Sequence, residues 1–146
     1  MSGWKLIKNH FLNSLVWRGG KLTAEKFFTA ILMYIKNSNP FNAFDVFYFS
    51  LLNLRPLVFL RPVKVGSVFY RTPAPITNHH RRLYAIKFVL QASRDKRGLV
   101  TVERIGDIIN AVYLGERNAA SEKKFEYYKE AMSNRSFIRF LKYDVK

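Results

Sequence analysis

The chain has 146 residues, 49% of them hydrophobic, so it is long and apolar enough to form one domain with a buried core. It carries 25 Lys and Arg but only 10 Asp and Glu, and the net charge of +15 favours a polyanionic partner. Cysteine is absent, which excludes a disulfide framework and a Cys-ligated zinc site.

The sequence pattern predicts three helices within residues 4–54. The first covers Trp4 to Trp17, lacks the apolar core of a signal peptide, and ends at Gly19-Gly20. The second is expected to be capped by Thr23. Its apolar segment, Phe27 to Ile35, is too short to span a membrane and is therefore interpreted as a core helix.

Asn39-Pro40 predicts the start of the third helix, which should run to about Leu54. The residues expected to face the core from this helix are Phe44, Phe47, Leu51 and Leu54. Pro56 then ends the helical stretch and directs the chain into a different structure.

Two segments rich in strand formers, Leu57–Arg61 and Val68–Thr72, flank Gly66-Ser67 and predict a β-hairpin arm over about residues 57–76. A lone ribbon is marginal in water, so we expect helices to anchor the base and another molecule to contact the tip. The alternative is a hairpin packed on its own domain. The clustering of Arg61 and Lys64 near the turn, with Arg71, disfavours it.

Three helices should follow the arm. Asn78, Thr101 and Asn118 are expected to begin them, and Gly115 to end the second of the three. The residues expected to face the core are Leu83, Ile86 and Leu90, then Val102, Ile105, Ile109 and Val112, then Phe125, Tyr128 and Met132. The fold class predicted is mainly α, a six-helix single domain with a protruding two-stranded β-hairpin.

No acidic residue occurs between Asp45 and Asp95, whereas eight cations do. A solvated surface usually mixes the two charge signs, so this span predicts a surface for a polyanion, most commonly nucleic acid. The cations expected to bind RNA, there and in the flanking elements, are Lys5, Lys8, Arg18, Lys21, Arg61, Arg71, Arg81, Arg82, Lys87, Arg94, Lys96, Arg97 and Arg104.

Nothing in the sequence predicts an enzyme, a metal site or a cofactor. Gly19-Gly20-Lys21 lacks the spacing of a phosphate-binding loop. His79 and His80 are adjacent, so they point in different directions on a helix and cannot chelate one metal well.

Several short motifs follow one another along the chain. They are Phe11-Leu12-Asn13, Gly19 to Lys21, Asn53-Leu54-Arg55-Pro56, Arg61, Val65-Gly66, Tyr70, Pro73, Arg81, Ala85-Ile86-Lys87, Arg94, Glu103-Arg104, Gly115 and Asn134-Arg135. In these motifs, and from about Phe11 to Phe137, the chain resembles the small-subunit ribosomal protein S seven family of bacteria and organelles. One departure is Asn78-His79-His80, which replaces a Pro-Glu-Arg type start of the fourth helix.

The resemblance implies a six-helix fold with a protruding ribbon and a structural protein that binds small-subunit rRNA and organises the head beside neighbouring head proteins. It also implies that mRNA and exit-site tRNA pass the arm tip and the region before the last helix. The residues expected there are Lys64, Val65, Gly66, Ser67, Val68, Arg117, Lys123 and Lys124.

Heavy use of Phe and Tyr, 13 and 8 residues, hints at an AT-rich organellar genome and a mitochondrial matrix location, with plastid or bacterial cytoplasm as alternatives. A DNA-binding regulatory protein is the alternative function. It is disfavoured because the cations are spread over several elements rather than one recognition helix. A basic protein on acidic membranes is disfavoured because the helices need their apolar faces for a core.

Overall fold

The computed structural model of the chain describes residues 3–16, 18–95, 98 and 100–144. The elements, in order, are α1 (Gly3–Leu15), α2 (Lys21–Ser38), α3 (Ala43–Asn53), β1 (Val58–Val65), β2 (Val68–Pro75), α4 (Asn78–Asp95), α5 (Thr101–Tyr113), α6 (Ala119–Ser133) and a C-terminal 3-10 helix (Arg135–Asp144). The mainly α class with a two-stranded antiparallel hairpin is confirmed. The 3-10 helix is a seventh helix, in a segment for which the sequence predicted no element.

The core is built around α1 to α5, and its centre is aromatic. Phe11, Phe28 and Phe47 come from the first three helices, and their ring centroids lie 5.0 to 5.7 Å apart. Tilted and edge-on pairs of this kind contribute about 0.5–1.5 kcal/mol each beyond the burial of apolar area. They fix the position of α1, which carries one side of the basic site described below.

Several predicted helix starts are wrong by a few residues. Helix α2 begins at Lys21, so Thr23 lies inside its first turn instead of capping it. Asn39 is the C-cap of α2, and its side chain donates to Oδ1 of Asn110 at 2.6 Å. The N-cap of α3 is Asn42, whose side chain accepts from the amide of Phe44 at 3.1 Å. Asn39 and Asn42 give the same sequence signal for a helix N-cap. In the structure Asn42 takes that position, whereas Asn39 ends α2 and contacts α5.

The later boundaries follow the sequence more closely. Helix α4 begins at Asn78 itself, and Val100 rather than Thr101 is the N-cap of α5. Asn118 caps α6, accepting from two backbone amides, and that prediction is confirmed. Gly115 follows the C-cap of α5 with φ of 76°, a left-handed conformation that favours glycine, so the predicted stop is also confirmed.

The hairpin has the predicted turn. Val65 pairs with Val68 around Gly66 and Ser67, and Gly66 has φ of 64°. One face of the hairpin packs on the C-terminal 3-10 helix, where the Tyr70 ring lies about 5 Å from two phenylalanine rings. The hairpin is thus packed on its own chain to a greater extent than predicted, although its tip remains exposed.

Two predicted core residues of α6, Phe125 and Met132, are instead 71% and 64% exposed. The buried residues of α6 are alanines, and two tyrosines beside them hold the hairpin base through their hydroxyls. Phe44 of α3 is also 48% exposed, with its ring edge-on to Trp4 at 5.0 Å. Within the described ranges, no helix has the length and apolarity needed to cross a membrane.

Candidate nucleic-acid interface

Cationic side chains from four segments meet where α4 begins. We call this group the α4 basic cluster; its members are His10, Arg55, His79, Arg81, Arg82 and Lys124. His10 lies on α1, Arg55 follows α3, the next three lie in α4, and Lys124 lies on α6. The four segments are far apart in sequence, so the cluster is a product of the tertiary fold.

Two hydrogen bonds and one ring contact define the geometry of the cluster. Nε of Arg81 donates to the carbonyl of Pro56 at 3.0 Å, which ties α4 to the exit from α3. Nζ of Lys124 donates to the carbonyl of Asn53 at 2.6 Å. The rings of His10 and His79 lie edge-on with centroids 4.7 Å apart.

The charges in the cluster repel one another. Burial lowers the pKa of Arg55, and the nearby Arg82 and Arg81 lower it further. Burial also lowers the pKa of Lys124, with Arg81 as the second cause. None of the six side chains pairs with a carboxylate among the described residues. Such a cluster is stabilised by an external anion.

The N-terminus of α4 adds to the positive electrostatic potential of the α4 basic cluster. Its first turn contains no acidic residue, so the partial positive charge of the helix N-terminus is not offset. Further along the helix, Lys87 and Arg94 are exposed, and Nζ of Lys87 lies 5.7 Å from the centre of the Tyr84 ring. Helix α4 therefore carries exposed cations beyond its first turn as well.

A second basic region lies at the other end of α4. Arg94 lines a groove together with Gly20, between the end of α1 and the starts of α2 and α5. Arg18 and Lys21 flank the glycines of this loop and are exposed, and Arg18 has φ of 49°. On α1, Lys5 is exposed and Lys8 half-buried.

Other predicted site residues have acidic partners. Arg71 is bonded to Glu130. Arg117 lies 2.8 Å from Glu122, and Lys123 lies 2.7 Å from Asp95. The hydrogen bond to Asp95 is the main reason that the pKa of Lys123 is raised. These pairs reduce the charge available for an RNA backbone.

Arg104 has a connecting role within the fold. Its guanidinium donates to the carbonyl of Ser93 at 3.2 Å and to Oγ1 of Thr101 at 2.9 Å, which joins the end of α4 to the start of α5. Arg61 is exposed on β1 and lines a groove with His80. Lys96 and Arg97 lie outside the described residues.

The predicted exit-region residues lie in two places. Lys64, Val65, Gly66, Ser67 and Val68 form the hairpin tip, where Nζ of Lys64 is 5.9 Å from the centre of the Phe69 ring. Arg117 and Lys123 lie near the start of α6. The neighbouring Lys124 belongs to the α4 basic cluster, since consecutive residues point about 100° apart on a helix.

The predicted RNA-binding residues did not include Arg55, His10 or His79. Arg55 lies in the acid-free span and directly before Pro56, so a local signal for it existed. No local sequence signal pointed to His10 and His79, because only the packing of α1 on α4 brings them together. Among the residues with described positions, no three His, Asp or Glu side chains are grouped to hold a metal ion.

Residues 4–135 match the family model described as ribosomal protein S7p/S5e. The chain belongs to this family. It is therefore a ribosomal protein, which is a structural class and not an enzyme, and the resemblance found in the sequence is confirmed.

Curated relatives cover nearly the same length. Small ribosomal subunit protein uS7 of Thermosipho africanus is 26% identical over 92% of this chain and 86% of its own. Proteins of the same name from a Nitratiruptor species and from Pseudothermotoga lettingae are 28% and 29% identical. These two alignments cover 89% and 86% of this chain, and 83% and 81% of the relatives.

Proposed function

We propose that this chain is a structural constituent of the small ribosomal subunit that binds small-subunit rRNA through the α4 basic cluster. The observation that carries the proposal is the gathering of six cationic or titratable side chains from four segments, none paired with a described carboxylate. An RNA backbone supplies the anions that this surface lacks. The family and its relatives support the same assignment.

Within this interface, phosphate contacts would come first from Arg55, Arg81 and Arg82, at the start of α4. Lys87 and Arg94 add exposed cations further along α4, and Arg18 with Lys21 adds the α1–α2 loop. Contacts of this type position a protein on folded RNA without reading its sequence. The protein would thereby fix the relative positions of RNA segments in the head of the subunit, beside neighbouring head proteins.

The hairpin tip would lie at the exit region, where mRNA and exit-site tRNA pass. Val68 and Phe69 are 51% and 67% exposed, so the tip contributes little to the core and is available to a passing RNA. Arg117, Lys123 and Lys124 would contribute from α6. Arg117 and Lys123 are held by acidic partners and would contact RNA less strongly than the α4 basic cluster does.

The ribosome in question would be mitochondrial. The abundance of Phe and Tyr supports an AT-rich coding genome, and a bacterial cytoplasm is the alternative that the bacterial relatives favour. Measuring whether the protein co-purifies with mitochondrial small subunits decides between them.

A salt titration tests the central proposal. Purified protein is mixed with a structured fragment of small-subunit rRNA, and the affinity is measured from about 50 to about 200 mM salt. If about six phosphates are neutralised, affinity should fall about a thousandfold over this range. A nearly flat titration would contradict an electrostatic interface. Preference for a DNA duplex of equal length would favour the DNA-binding alternative.

A further inference from the structure

We propose that His10 and His79, with Arg55 and Arg82, form a phosphate-binding site that takes up a proton when an RNA phosphodiester binds. Binding of RNA should therefore strengthen as the pH falls. The inference rests on the proposed rRNA-binding function and adds to it a particular ligand group, a particular set of residues and a linkage to protons.

The first observation is the geometry of the histidine pair. His10 lies on α1 and His79 in the first turn of α4, and their rings meet edge-on, at 88° between planes. His79 also lies beside His80, with ring centroids 5.5 Å apart. The two imidazole rings thus lie beside the N-terminus of α4, a position that favours anions.

The second observation is a set of buried side-chain nitrogens without hydrogen-bond partners. Nδ1 of His10, Nε of Arg55 and Nε of Arg82 are buried, and none has a hydrogen-bond partner within the described part of the chain. Buried polar atoms nearly always have a partner, so three such atoms on three neighbouring segments indicate a missing acceptor. A phosphate offers several strong acceptor oxygens, and an arginine N–H or a protonated imidazole donates to them.

The third observation is the charge around His10. Burial lowers the pKa of His10, and the further causes are His79 and Arg82, both on α4. Helices α2 and α3 also pack against α1, and neither has a charged side chain, among the described residues, that acts on this ring. No lysine of α1 itself does so either. Arg82 in turn lowers the pKa of Arg55, which follows α3. In the free protein, burial first and then His79 and Arg82 therefore disfavour protonation of His10.

A bound phosphodiester changes the balance of charge around His10. Its negative charge offsets the repulsion from Arg82 and favours the protonated imidazole, which becomes a donor at both nitrogens. Binding then includes the uptake of a proton by His10. A divalent cation is a poor alternative occupant, because the surrounding arginines repel it and no group of three His, Asp or Glu side chains among the described residues is placed to hold it.

The decisive measurement is the affinity for one rRNA fragment between about pH 5.5 and about pH 8 at constant ionic strength. For uptake of one proton, affinity should rise by up to about tenfold for each pH unit lost. His10→Asn should flatten this dependence. His80→Asn is the matched control, since the His80 ring is hydrogen-bonded to Oγ1 of Thr77 at 2.8 Å and lies outside the pair, and it should keep the dependence.

The outcomes separate this proposal from the proposed function. Steep salt dependence without pH dependence would overturn proton uptake and leave rRNA binding intact. Should rRNA not bind, or His10→Asn not fold, an NMR titration of the His10 ring in the wild-type protein still decides the question. Added inorganic phosphate should raise the pKa of His10, and an unchanged pKa at saturating phosphate would reject the site.

Discussion

The backbone amide of Leu60 donates a hydrogen bond of 2.8 Å to the hydroxyl of Tyr127, and this bond ties the hairpin to α6. The amide of Leu57 donates to the hydroxyl of Tyr128 in the same way, also at 2.8 Å. Burial raises the pKa of Tyr127 to about 12, so its hydroxyl stays neutral at ordinary pH. Two side chains of one helix thus satisfy backbone amides at the base of the hairpin, where β1 begins.

Tyr127→Phe should lower the free energy of unfolding by about 1–3 kcal/mol, because the amide of Leu60 loses its acceptor in a partly buried place. Urea denaturation measures this change, and faster hydrogen exchange at Leu60 would locate it. Tyr113→Phe is the control, since the Tyr113 ring packs on Phe41 and its hydroxyl has no hydrogen bond among the described groups. An equal loss in both variants would show that the Leu60 bond is not the cause.

Replacing Lys64–Phe69 with a two-residue Asn-Gly turn should leave stability and rRNA affinity nearly unchanged. The tip side chains are mostly exposed, and the next residue on β1, Val63, remains as the first buried one with 1% exposure. Melting temperature and subunit incorporation measure the first expectation. Reading-frame maintenance or exit-site tRNA retention in assembled ribosomes should change. A trimmed protein that fails to enter subunits would show that the tip is needed for assembly.

Removing charge from the start of α4 should weaken rRNA binding more than removing it from the start of α6. Arg82→Gln removes a cation without a described acidic partner, whereas Lys123→Gln removes one already paired with Asp95. The first change should also reduce the slope of the salt titration by about one contact. Equal losses of affinity, measured on the same rRNA fragment, would contradict the ranking.

Gly106→Ala should destabilise the contact between α2 and α5. An added methyl group would lie 2.3 Å from Cδ1 of Tyr34, closer than atoms can approach. The ring is held by its hydroxyl, which donates to Oδ1 of Asp107 at 2.7 Å. Overpacking of this kind lowers stability by about 1–3 kcal/mol. In a Tyr34→Ala background, Gly106→Ala should have little effect on stability. If Gly106→Ala still lowers stability by the full amount there, the clash with Tyr34 is not the cause.

Without RNA, the protein should lose stability relative to His10→Asn as the pH falls below about 6.5, the ordinary pKa of histidine. The folded-state pKa of His10 is lowered, so the unfolded chain takes up the proton first and becomes favoured. Above that range the two proteins should show no pH-dependent difference. Thermal melts across this range measure the effect, and a growing advantage of the wild type at low pH would contradict the sign.

The sequence by itself determined the features that depend on neighbouring residues. Gly66-Ser67 between two strand-forming segments specifies the hairpin, and Asn118 and Gly115 fix two helix ends. The acid-free span between Asp45 and Asp95 predicts a cationic surface because no nearby residue can neutralise it. The family follows from the same local motifs.

Only the tertiary structure decided which of these charges act together. Arg71 and Lys123 are paired with acids from distant segments, whereas Arg55, Arg82 and His10 meet one another without an acid. The exposure of Phe125 is also decided by contacts between distant segments. The face of α6 that turns toward the hairpin carries Tyr127 and Tyr128, whose hydroxyls accept from the amides of Leu60 and Leu57, and Phe125 lies away from it. The spacing of residues along one helix does not predict long-range partners of this kind.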